Sequence, residues 1–154
     1  MEPTPLAVLE RVRSICNREL IAIDMQCKRL KAHQLVAVEE RWADFQFLII
    51  ALSRFRRAAN LAAKHHPTLH SDISAFDAAL PDLVKMRNVA EHFDDYAEDN
   101  AKRRQKRSDG SPIERGQLQV YSMGLEELEW LGGSLNTANA LNAAAKLMIC
   151  VKAL

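Results

Sequence analysis

All five glycines of this chain lie between Gly110 and Gly133, so its first 109 residues contain none. Glycine is the residue that most readily makes tight turns, and without it no cheap turn marks the early part of the chain. Apolar residues recur there at three- and four-residue steps, the period of one helix face. Thr4 can cap a first helix, with Pro5 in its first turn. Leu9, Val12, Cys16, Leu20, Ile23, Cys27 and Leu30 then form one stripe, with a turn expected at Lys31-Ala32-His33-Gln34. A second stripe, Val38, Trp42, Phe45, Ile49, Leu52 and Ala59, runs to Lys64-His65-His66-Pro67, where cationic groups suit a helix end and proline stops it.

Ser71 or Asp72 is expected to cap a short helix carrying Ile73, Phe76, Ala79 and Leu80, interrupted at Pro81-Asp82. Leu83, Met86, Ala90, Phe93 and Ala97 make the third main stripe. Residues 99–117 read as a basic, mobile loop, and 118–123 as a brief strand or irregular return segment. Gly132-Gly133 breaks the chain again. Asn136 or Thr137 then caps a last, Ala-rich helix with Leu141, Ala144, Ala145, Met148 and Val151 inside. The expected fold is all-α, an up-and-down bundle of about four main helices, in a single domain over 1–154.

With 48% apolar and 27% charged residues the chain has the makings of a core, and a formal net charge of +1 excludes a wholesale polyanion binder. Nucleic-acid contact would have to come from a local patch. No apolar run approaches the roughly 18 residues of a membrane span. Met1-Glu2-Pro3-Thr4-Pro5 has neither the basic start nor the apolar stretch of a secretory signal, and Cys16, Cys27 and Cys150 are scattered and odd in number. The expectation is a cytoplasmic protein with reduced, buried thiols.

Arg87-Asn88-Val89-Ala90-Glu91-His92 carries the most chemistry. A histidine moves protons near neutral pH, and an arginine holds a phosphate by two parallel hydrogen bonds. On a straight helix His92 lies roughly 130° from the stripe centre, facing water or another subunit. Arg87 and His92 then diverge by roughly 140° over about 7.5 Å of rise, so a two-fold related copy would complete the site across a homodimer seam. The plainer reading is an ordinary surface pair between Arg87 and Glu91, four apart, with Asn88 and His92 as solvated neighbours.

An arginine followed by asparagine, then three residues and a histidine, late in a helical chain of this size, resembles the HEPN superfamily (higher eukaryote and prokaryote nucleotide-binding). The resemblance implies a small, often dimeric helical bundle and metal-independent RNA cleavage of the kind found in toxin–antitoxin, defence and RNA-processing systems. It implies that His92 transfers protons at the attacking 2′-hydroxyl or the leaving oxygen. Arg87 would stabilise charge on the phosphate and Asn88 would orient the site, giving a 2′,3′-cyclic phosphate and a 5′-hydroxyl. Some members carry a tyrosine two residues after the histidine, which a partner such as an antitoxin modifies. Here Asp94 occupies that position, and Glu91, Asp94 and Asp95 crowd His92 with negative charge. Catalytically silent members serve as interaction modules, the alternative function for this chain.

Lys102, Arg103, Arg104, Lys106 and Arg107 put five cations into six residues, able to guide RNA by its phosphates or simply to be a solvated loop. His65, His66 and His70 are the only histidine cluster and have Asp72 alone as a nearby carboxylate, so no metal and no cofactor is expected. A nucleotide- or metal-binding helical protein using these histidines is the third and weakest reading.

Overall fold

Thr4 opens the first helix as its position suggests: its Oγ1 accepts a hydrogen bond from the Ala7 N–H at 3.2 Å. The computed structural model describes residues 4–32, 37–98 and 105–154. Among them are helices α1 (Pro5–Ala32), α2 (Val38–Ala63), α3 (Leu69–Ala79), α4 (Leu83–Glu91), α5 (Phe93–Ala97) and α6 (Thr137–Ala153). A small antiparallel sheet, ordered β1 (Tyr121–Met123), β2 (Glu127–Trp130), β3 (Gly133–Asn136), completes a mostly helical fold. None of the described helices is long and apolar enough to cross a membrane.

The two long helices run antiparallel, and two ion pairs register them. Arg54 meets Glu19 at 3.1 Å, and Arg29 meets Asp44 at 2.9 Å. Both carboxylates are buried, so each needs its partner to offset lost hydration. Helix α6 runs against α1 in the opposite sense. The Cys27 thiol donates to the Thr137 carbonyl at one end, and at the other Arg13 donates to the carbonyls of Val151 and Lys152. That arginine satisfies acceptors that a helix C-terminus leaves open. Asn136 caps α6, its side chain accepting from the Asn139 N–H at 3.0 Å. Val12, Ile23 and Leu30 of α1 and Phe45, Leu48, Leu52 and Phe55 of α2 are fully buried. Ala140, Ala144 and Val151 of α6 join them, the two alanines letting the helix approach closely. Burial pushes the Cys16 thiol up to about 12, helped by nearby Glu19, and the Cys27 thiol up to about 11.

Several expectations need correction. Helix α3 begins at Leu69 after Thr68, earlier than Ser71 or Asp72. The segment after 118 holds three strands where one was expected. Strand β2 alternates exposed Glu127 and Glu129 with buried Leu128 and Trp130, and pairs Tyr121 with Trp130 and Leu128 with Leu135. The β2–β3 turn uses Leu131 (φ 57°) and Gly132 (φ 73°), both left-handed, the geometry favoured by two-residue hairpins. Trp42 is half-buried rather than central: it stacks on Tyr121 with ring centres 4.3 Å apart and meets Trp130 edge-on at 5.0 Å, fixing the sheet to α2.

The last correction bears on the site. The stripe through Phe93 and Ala97 assumed one continuous helix, but the backbone breaks at His92 (φ −124°, ψ 36°). The break rephases residues 93–97 relative to α4, so Phe93 is 64% exposed while Val89 and Tyr96 point inward.

Candidate nucleic-acid interface along helix α4

Helix α4 packs against α2, and polar groups gather at both of its ends. At its start stands Asp82. Its carboxylate accepts from Lys85 Nζ at 2.7 Å, from Ser108 Oγ at 2.9 Å and from the Ser134 N–H at 3.1 Å, and Lys85 also donates to Ser108. Burial pushes the Asp82 carboxyl up, but these three donors outweigh it and hold it below the usual carboxylate range. Gly133 makes room here, because a Cβ at that position would force the Asp82 carboxylate to shift. One side chain thus clasps α4, the loop around Ser108 and the β2–β3 hairpin together.

The far end of α4 carries Arg87, Asn88 and His92. Arg87 Nη1 donates to Asn88 Oδ1 at 2.9 Å, and Nη2 pairs with Glu91, as the plain surface reading expects. Its Nε–H is buried and meets no acceptor among the described residues. His92, whose side chain is 44% exposed, has Nδ1 4.0 Å from Asp95 Oδ2, too long for a hydrogen bond. It shares a cavity of about 490 Å³ with Asn88, Tyr96 and Gln105. Across that cavity the Tyr96 hydroxyl accepts from the Gln105 N–H at 2.9 Å, joining α5 to the basic segment.

Arg87 does not line the His92 cavity. It opens instead into a smaller cavity, about 100 Å³, shared with Arg56 and Arg57 of α2 and again with Asn88. Asn88 is therefore the common wall of two adjoining depressions, one rich in guanidinium groups and one holding the imidazole. Arg56 is committed to Asp77 by a two-pronged pair, which raises its already high pKa. Arg57 is exposed and has no acidic partner among the described residues.

Of the basic segment, Lys102, Arg103 and Arg104 lie outside the described residues. Lys106 is exposed and bridges to Pro112. Arg107 lies beside Gly132 in a depression bordered by Asp82 and Tyr121, away from the His92 cavity, with Nε 3.7 Å from Asp109. His65, His66 and His70 gather no metal-binding group: among the described residues no three His, Cys, Asp or Glu side chains do. Two features escaped the sequence reading. The Asp82 clasp joins residues more than 50 positions apart and leaves only Gly133 as a trace, while Arg57 resembles any other surface cation until α4 is placed beside it. No protein-family model, curated protein or solved structure matches the chain.

Proposed function

We propose that the protein is a HEPN-like helical bundle of the up-and-down type that binds or cleaves RNA without a metal, with Arg87, Asn88 and His92 as its site. The observation that supports this reading is the pair of adjoining depressions sharing Asn88, one lined by His92 and the other by Arg56, Arg57 and Arg87, residue types suited to proton transfer and phosphate holding. His92 serves as the acid or base at the 2′-hydroxyl or the leaving oxygen. Arg87 meets the phosphate charge, and Asn88 holds the Arg87 guanidinium in place. The basic segment, including Lys106, supplies long-range attraction for the RNA backbone.

A homodimer is part of the proposal. Phe47 (57% exposed), Ile50 and Leu61 of α2 are exposed apolar side chains, and Val84 (49% exposed) of α4 lines the same small cavity as Asn88. A two-fold copy docked there would bury them and bring a second His92 to the seam.

The Arg87–Glu91 pair favours a second reading, a non-catalytic interaction module in which this face docks a protein partner. Incubating single-stranded RNA with the protein in excess chelator separates the two. Fragments ending in a 2′,3′-cyclic phosphate, lost in His92→Ala, support cleavage. Intact RNA with no measurable binding leaves the interaction module.

A further inference from the structure

We infer that the small α2–α4 cavity is a phosphodiester subsite, and that Arg57 is a substrate-binding residue there, acting with Arg87 on the RNA phosphate next to the one being cut. The inference rests on the proposed RNA site and assigns part of it to a second helix. Three guanidinium groups, those of Arg56, Arg57 and Arg87, meet in one cavity whose lining contains no carboxylate. Asp77 takes the charge of Arg56 and Glu91 that of Arg87, leaving Arg57 with no acidic partner among the described residues. One guanidinium left without a carboxylate beside two paired ones gives the cavity a net positive charge, which an entering anion neutralises.

Further donors belong to the residues that line this cavity. The buried Arg87 Nε–H is withheld from water and has no acceptor among the described residues. Ser53 of α2 adds a hydroxyl, and Asn88 an amide, to the same lining. At about 100 Å³ the space suits one tetrahedral oxyanion. It lies well below the roughly 300–1,000 Å³ of sites that take whole small molecules, so a nucleoside does not fit. Since Asn88 also borders the His92 cavity, a phosphate held by Arg57 and Arg87 directs the strand past the imidazole.

The test measures binding of a single-stranded RNA oligonucleotide at several salt concentrations, in a His92→Ala background that prevents cleavage. Arg57→Ala should weaken binding roughly tenfold, as loss of a charge-assisted hydrogen bond does. It should also flatten the logarithmic salt slope by about 0.7, the signature of one lost phosphate contact on a single strand. Arg57→Lys should recover the slope but only part of the affinity, because an ammonium lacks the two-pronged donor. Arg11→Ala, removing an exposed charge of α1, should change neither. An unchanged slope in Arg57→Ala, or an equal loss in Arg11→Ala, overturns the inference while leaving RNA cleavage by His92 standing. Should the wild-type chain neither bind nor cut RNA, the functional reading falls and inorganic phosphate decides the subsite alone. Shifts of the Arg57 and Arg87 Nε–H resonances on phosphate titration, absent in Arg57→Ala for Arg87, keep it as an oxyanion pocket. Resonances that do not move remove it.

Discussion

The two ends of helix α4 are built on opposite terms. At its start every strong polar group has a partner: Asp82 takes three donors, Lys85 serves both Asp82 and Ser108, and Gly133 surrenders its side chain to make room. At its far end polar capacity is left over. Among the described residues the Arg87 Nε–H meets no acceptor and Arg57 no acidic partner, and His92 stands 4.0 Å from Asp95. Saturation at the first end gives a structural joint, and surplus at the second leaves something for a ligand to satisfy.

His92→Ala should reduce RNA cleavage by roughly 10²–10⁴-fold and move unfolding free energy by less than about 0.5 kcal/mol. A comparable loss of stability would make the histidine structural. Gly133→Ala should do the reverse, costing about 1–3 kcal/mol in chemical denaturation as the Asp82 contacts are forced apart. If it is neutral, the joint is not what holds the hairpin.

Acid sharpens the same point. The Asp82 carboxyl titrates near 3.9 when unfolded and lower when folded. Its contribution is therefore complete above the unfolded value and disappears as pH falls through the folded one. The stability difference between wild type and Asp82→Asn should be constant from neutral pH to about 5 and shrink below about 4. A difference that grows in acid contradicts the clasp. Tyr96→Phe, which leaves the Gln105 N–H without its acceptor, should cost about 1 kcal/mol in the same assay. Phe93→Ser should cost less than about 0.5 kcal/mol. A continuous helix would have buried that ring, at a cost of about 3–5 kcal/mol when truncated, so this smallest effect tests the break at His92.

The helical part of the fold was legible because it depends on neighbours in sequence. Thr4-Pro5, Pro67, Pro81 and Asn136 mark ends through their own backbone chemistry, and the stripes of α1, α2 and α6 follow one period over many turns. The sheet was harder to read. Glu127-Leu128-Glu129-Trp130 alternates for only four residues, and its hairpin turn puts Leu131 where glycine or asparagine would signal φ > 0. The break at His92 has no proline or glycine to announce it, so the stripe expected through Phe93 does not hold. Within the site, Arg87, Asn88 and His92 were visible as a motif, and their division between two cavities was foreshadowed by the angle between them. Arg57 was not visible, since its environment is made by a helix 30 residues later.

The contact between Gly133 and Asp82 has a consequence for descent as well as for stability. A residue without a side chain at 133 makes room for the Asp82 carboxylate in its present position, so a side chain gained at 133 bears on residue 82 as well. In any lineage sharing this fold, a side chain gained at 133 should coincide with an altered residue at 82. Two sites far apart in the gene would then be linked in one direction, from 133 to 82.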